Sequence, residues 1–169
     1  MNLIDTHAHL YWDSYKQDLD EVIKRAQEAG VTTIINIGVD IEKSKQAIET
    51  SQKLISLGIQ GYAGIGIHPH EAVKYTDNIS LQQDIEKLEK LYQENKSDIV
   101  IIGECGLDYF FENNPGYNPS SLSPEQQKSL QKKLFQTQID LAKKLNLPLS
   151  VHCRDDRSKD PQNSECWDT

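Results

Sequence analysis

Several classes of protein are excluded by what this 169-residue chain lacks. No stretch approaches the run of about 18 apolar residues that a membrane helix needs. The first residues carry no basic segment followed by an apolar one, as a signal peptide would. The chain therefore reads as cytoplasmic, with no membrane partner. Cysteine is scarce: Cys105, Cys153 and Cys166 make no CxxC pair, which excludes a disulfide framework and fits a reducing compartment. Positive charge is short as well, with 18 Lys and Arg against 26 Asp and Glu for a net charge of −8. Broad, sequence-independent binding to a polyanion needs a basic surface and is excluded on that ground. A nucleic-acid substrate would have to be held locally, by metal ions and a few basic side chains. A Walker loop is missing, and so is any recognisable Ser-His-Asp or Cys-His spacing, so nucleotide-motor and covalent chemistry have no support.

What is present is an alternation of apolar strands and amphipathic helices, without internal repeats or low-complexity tracts. Apolar runs at Asn2 to Ile4, Val31 to Ile37, Ile59 to Ile67, Ile99 to Ile102 and Leu147 to Val151 read as buried strands. Their near-continuous apolarity is the pattern of a parallel sheet covered by helices. Between them, Leu19, Val22, Ile23, Ala26 and Ala29 form one helical stripe, with Gly30 at its C′ position. Asp40 caps a second helix that ends at Gly58. Ser80 with Gln83 has capping-box spacing for a third helix, and Ser123 with Gln126 and Pro124 for a fourth. His68 to Ser80 and Tyr109 to Ser123 read as long βα loops. The resulting βαβαβαβαβ order makes the fold class α/β with a parallel sheet.

The candidate functional residues gather where strands end. His7 and His9 follow the first strand, His68 and His70 the third, Glu104 the fourth and His152 the fifth. In a (β/α)₈ barrel those ends converge on one face, whereas in an open doubly wound sheet they spread along an edge. Convergent imidazoles favour the barrel. Side chains alternate along a strand, so Asp5, His7 and His9 share a face, where two imidazoles grip a cation and Asp5 ligates or orients them. Glu104, flanked by Gly103 and Gly106, which let the backbone approach a ligand closely, is the natural carboxylate to bridge two cations. Pro69 bends the chain between His68 and His70, which therefore read as substrate contacts or ligand-supporting groups. Cys105 and Cys153 face away from the site as small apolar residues. Arg154 has the fork to clamp a phosphate. Mixed imidazole and carboxylate donors suit Zn, Mn or a related ion, and the chemistry they indicate is metal-assisted hydrolysis.

With these residues in view, the chain resembles the TatD family of metal-dependent deoxyribonucleases. The resemblance is carried by DTHAHL (Asp5 to Leu10), GIHPHEA (Gly66 to Ala72), GECGLDYF (Gly103 to Phe110) and LPLSVHCRD (Leu147 to Asp155), collinear over nearly the whole chain. It implies a TIM (β/α)₈ barrel and hydrolysis of DNA phosphodiester bonds, commonly as an exonuclease, with DNA as substrate and no stable protein partner. It also implies two divalent metal ions (Zn, Mn or Mg). His7 and His9 hold one, Glu104 bridges and acts as the catalytic carboxylate, and His152 holds the second. Asp5, His68, Asp108 and Arg154 then bind substrate or support the ligands.

Members of the family have eight strands in about 250 residues or more, whereas this chain offers about five. The family's later histidine and late aspartate have no counterpart. The expectation is one TatD-like domain over residues 1–169, truncated at its C-terminal side after the polar stretch Asp156 to Glu165, with Trp167 beginning a further amphipathic helix. Such a piece is expected to bind metal weakly alone and, with unpaired first and fifth strands, to be poorly folded or oligomeric. The alternatives are a related barrel hydrolase acting on a small phosphoester, ester or amide, and a catalytically incomplete fragment.

Overall fold

Each apolar run becomes a strand and each capped stripe a helix. The order is β1 (Leu3–Ala8), α1 (Leu19–Glu28), β2 (Val31–Ile37), α2 (Ile41–Ser56), β3 (Gln60–Ile65), α3 (Asn78–Glu94), β4 (Ile99–Asp108), α4 (Pro124–Leu145) and β5 (Leu149–Arg154). The computed structural model describes residues 2–112, 120–155 and 166. Residues 113–119 of the second long loop, the polar stretch after Asp155 and the helix expected at Trp167 lie outside the described residues. Among those described, the strands form one parallel sheet in the order β1-β2-β3-β4-β5. Strands that pair in chain order with a helix between each are wound as in a TIM barrel, five strands of the eight; a doubly wound sheet reverses its order at a switch point.

The start and stop signals act as their chemistry requires. The Asp40 carboxylate accepts from the Lys43 amide at 2.6 Å and opens α2. Ser123 and Gln126 close a reciprocal capping box on α4, with Pro124 in the first turn. The third helix differs from expectation. It is capped by Asp77, whose Oδ1 accepts from Ile79 and Ser80 amides at 2.8 Å each. A carboxylate three residues upstream captures the free amides first and draws Ser80 into the helix. The first loop also holds local structure, a 3₁₀ turn over Pro69–Lys74, which Pro69 starts rather than merely bends.

Two strands run further than their apolar stretches. β1 continues to Ala8 and β4 to Asp108, so His7 and Glu104 lie within strands instead of after them. Polar side chains are tolerated there because the strand ends line the barrel mouth. The core packs Ile65, Ile99 and Ile102 of the sheet against Ala47, Leu88, Leu134 and Leu141 of the helices. Two buried glutamines of α4 act as clips between helix and sheet. Gln131 accepts from the Asp108 amide at 2.7 Å and donates to its carbonyl at 2.8 Å. One heptad later Gln138 does the same for Ile67, at 2.8 Å both ways. The outer strands keep apolar side chains in contact with solvent: Ile4 is 61% and Val151 53% exposed.

β4 and β5 approach closely because β4 carries glycine where its neighbour's backbone intrudes. Gly103 and Gly106 have φ of +148° and +137°. A Cβ on Gly103 would collide with Ser150, and one on Gly106 with the His152 backbone. Sequence reading assigns these glycines to the approach of a ligand; what approaches is the adjacent strand. Gly106→Ala adds both a positive-φ penalty of about 1–2 kcal/mol and an overpacking penalty of about 1–3 kcal/mol. The expected result in chemical denaturation is a midpoint loss equivalent to about 2–5 kcal/mol with an unchanged slope.

Candidate metal centre

The C-terminal ends of β1, β4 and β5 bring His7, His9, Glu104, Asp108 and His152 into one basin, joined by His68 and His70 from the loop after β3. Two sets of donor atoms lie within 4.8 Å of one another: His7, His9 and Glu104, and His68, Asp108 and His152. Glu104 belongs to both sides. Its Oε2 lies 3.4 Å from His7 Nε2 and 3.6 Å from His9 Nε2. Its Oε1 lies 2.9 Å from His152 Nδ1. Its backbone amide is fixed to the Gly38 carbonyl at the end of β2, at 2.7 Å.

Hydrogen bonds behind the imidazoles determine what each presents. His9 Nδ1 is 2.7 Å from the Ile37 carbonyl, which can only accept; Nδ1 therefore carries the proton and the Nε2 lone pair faces Glu104. His68 is set the opposite way. Its Nδ1 accepts from the His70 amide at 3.2 Å, so in neutral His68 the proton sits on Nε2. His7 Nδ1 meets Ser150 Oγ at 3.1 Å. His152 lies between two carboxylates, Nδ1 on Glu104 and Nε2 on Asp108, each at 2.9 Å. Both ring nitrogens donate there, which makes this ring an imidazolium.

Ionisation follows from these contacts. Burial opposes charge on His152, but hydrogen bonds to Asp108 and Glu104 outweigh it and raise its pKa to about 9. Burial also opposes ionisation of Glu104, yet donors from His152 and His7 hold its carboxyl well below the usual range. Asp108 is held low in the same manner, with His152 and His70 overcoming burial. Burial, aided by the charge on His152, lowers His68 to about 4, so that ring is neutral. His7 is raised, chiefly through its hydrogen bond to Glu104.

The remaining residues named from the sequence sit around this basin. The Asp5 carboxylate accepts from the His7 amide at 3.0 Å, which folds it against its own strand; it is outside both donor sets. His70 Nε2 reaches Asp108 at 2.9 Å. The Arg154 guanidinium lies 4.0 Å from the centroid of the Phe110 ring. Cys105 is buried, as its position opposite Glu104 requires. Cys153 is half-buried and packs with Leu107, Tyr109 and Cys166. Sequence reading missed Ser150, Tyr11 and Gln131. The period of two along β5 marks Ser150 as a face-mate of His152. Tyr11, which donates to the Ile37 carbonyl at 2.7 Å, carries no such signal.

Residues 4–163 match the family model described as TatD related DNase. The chain is 37% identical over 153 residues to "Uncharacterized metal-dependent hydrolase YabD" of Bacillus subtilis, covering 90% of this chain and 51% of that protein. It is 34% identical over 167 residues to "3'-5' ssDNA/RNA exonuclease TatD" of Pantoea ananatis, covering 98% of this chain and 55% of that one. A solved structure of a hydrolase TatD family protein from Entamoeba histolytica matches with a TM-score of 0.72 at 27% identity, over 94% of this chain and 51% of that chain. The chain thus spans about half the length of the curated relatives it matches. On a family match that runs through all four motifs and a fold shared with a TatD hydrolase, this chain belongs to the TatD family.

Proposed function

We propose that this chain carries the binuclear metal site of a divalent-metal-dependent hydrolase that cleaves phosphodiester bonds in DNA, working as an exonuclease on single strands. The observation that carries the reading is the division of Glu104 between two imidazole sets, Oε2 towards His7 and His9 and Oε1 towards His152. A carboxylate so shared suits a bridge between two cations. The choice of substrate draws on relatives named as 3'-5' ssDNA/RNA exonucleases.

The donor set fits such ions. His7 and His9 with Glu104 would hold one, and Glu104 with His152 the other, with Asp108 beside it in the second donor set. Imidazole and carboxylate together accept Zn, Mn or Mg. When bound, a pair of such ions supplies Lewis acidity at the scissile phosphate and lowers the pKa of a nearby water. The chain's own residues do the rest. The Ile37 carbonyl holds the His9 ring in the ligating tautomer. Asp108 accepts from His152 Nε2 and so orients the ring with Nδ1 towards Glu104. Neutral His68, with its proton on Nε2, donates to a non-bridging phosphate oxygen. Arg154, stacked on Phe110, steadies the phosphate on the β5 side.

Incubation of single-stranded DNA with the chain and Mn²⁺ is expected to release nucleotides stepwise from one end, with EDTA stopping release. Glu104→Gln is expected to slow release by on the order of 10³-fold, as for loss of a central electrostatic group. Turnover of a small ester or amide, with DNA left intact, would overturn the substrate assignment in favour of a related hydrolase.

Metal binding must displace the proton of His152, whose pKa is about 9. Below that pH each binding event at this ligand releases a proton, so affinity for Zn²⁺ or Mn²⁺ rises with pH and levels off above about 9. Titration calorimetry at pH 7 in buffers of different ionisation enthalpy should return a net proton release, and His152→Gln should reduce it. A pH-independent affinity would contradict the imidazolium assignment.

A further inference from the structure

Trp12 stands three residues beyond the second ligand histidine, and its setting differs from that of a core aromatic. Its amide donates to the His9 carbonyl at 3.2 Å. The turn this closes lays the indole flat on the His9 ring, with centroids 4.7 Å apart and planes 3° from parallel. Tyr11 meets the indole edge-on at 6.5 Å. One indole face is thereby covered, yet the side chain remains 46% exposed. A tryptophan that served only to fill space would bury most of its large apolar area. Stacking that keeps an aromatic plane in water beside a reaction centre has a different use.

Trp12 also borders a groove of about 490 Å³ whose walls carry Lys16, Lys43 and Lys53. The same walls carry the carboxylates Asp13 and Glu49, so the three ammonium groups outnumber the acids by one, in a chain whose net charge is −8. Lys16 pairs with Asp13 at 2.7 Å and Lys53 with Asp20 at 2.8 Å, both in exposed positions. Exposed pairs of this type contribute little to stability, so a phosphate competes for these ammonium groups at little cost. Lys43 reaches over the Tyr11 ring, 5.6 Å from its centroid. The groove therefore offers phosphate partners next to an open aromatic face, the combination that single-stranded nucleic acids bind without regard to sequence.

We propose that Trp12 is a stacking platform for one nucleobase of a single-stranded nucleic acid, with Lys16, Lys43 and Lys53 taking the neighbouring phosphates. This surface delivers the strand end to Glu104 and its imidazoles. The proposal rests on the nuclease reading above and adds the subsite that holds the base. Every nucleobase has a π-face, so the platform confers affinity for bases without choosing among them.

The test is equilibrium binding in EDTA, where no turnover occurs, by intrinsic fluorescence of a Trp167→Phe background. The probes are an eight-nucleotide oligothymidylate and an abasic oligomer of the same length. The thymidylate is expected to quench Trp12 and to bind roughly tenfold or more tightly than the abasic strand. Trp12→Ala, followed by fluorescence anisotropy of labelled strands, should abolish that preference, and Trp12→Phe should keep most of it. Equal binding of the two strands, or a preference that survives Trp12→Ala, overturns the platform. Hydrolysis with Mn²⁺ is scored separately. Base-dependent binding without hydrolysis retires the nuclease reading and upholds the platform, whereas hydrolysis with base-independent binding retires the platform alone.

Discussion

A largely buried carboxylate in contact with three imidazoles is the constraint around which the rest of this structure is arranged. Glu104 is 9% exposed, and an ionised carboxyl at that depth is tolerated only when surrounding donors replace its water. His7 and His152 do so from two other strands. The sheet has to bring those strands to within a ring's width of β4. Glycine on β4 where Ser150 and His152 crowd in makes the approach of β5 possible. The clip from Gln131 to both backbone groups of Asp108 then fixes the end of β4 against α4.

Charge balance inside the basin explains how two ionised carboxylates stand so close together. Two carboxylates held ionised, Glu104 and Asp108, enclose a protonated His152. The imidazolium supplies the positive charge between them, and in the proposed metal site a proton and a cation would compete for the same nitrogen. His68, with its ring centroid 4.4 Å from that of His152, is kept neutral by burial and by the neighbouring positive charge. Two histidines in contact thus have opposite roles, one cationic and one a neutral donor, and the difference arises from which groups stand behind each ring.

Much of this arrangement was legible in the sequence, for physical reasons that differ between parts. The strand-helix alternation was visible because buried parallel strands need unbroken apolar runs, and Asp40, Ser123 and Pro124 are local signals that act within one turn of chain. The candidate ligand histidines and Glu104 were visible because each stands at or near the end of such a run. Strand ends were less so: β1 and β4 continue through polar residues whose burial depends on facing strands, which no local pattern records. Asp77 displaced Ser80 as a cap because two local signals competed and the charged one came first. Gln131 and Gln138 were invisible, since a helical stripe is read from apolar side chains and these two are polar members of the core. The tautomers of His9 and His68 were equally hidden, being set by Ile37, across the sheet, and by the turn after Pro69.

The central claim is that Glu104 is shared between two metal ions. Electron paramagnetic resonance of the chain loaded with Mn²⁺ tests it most directly, because ions about 4 Å apart on one carboxylate couple magnetically. The account predicts an exchange-coupled dimanganese spectrum that collapses to that of isolated ions in Glu104→Gln. A spectrum of uncoupled Mn²⁺ at saturating metal, the same in the wild-type chain and in Glu104→Gln, would contradict it.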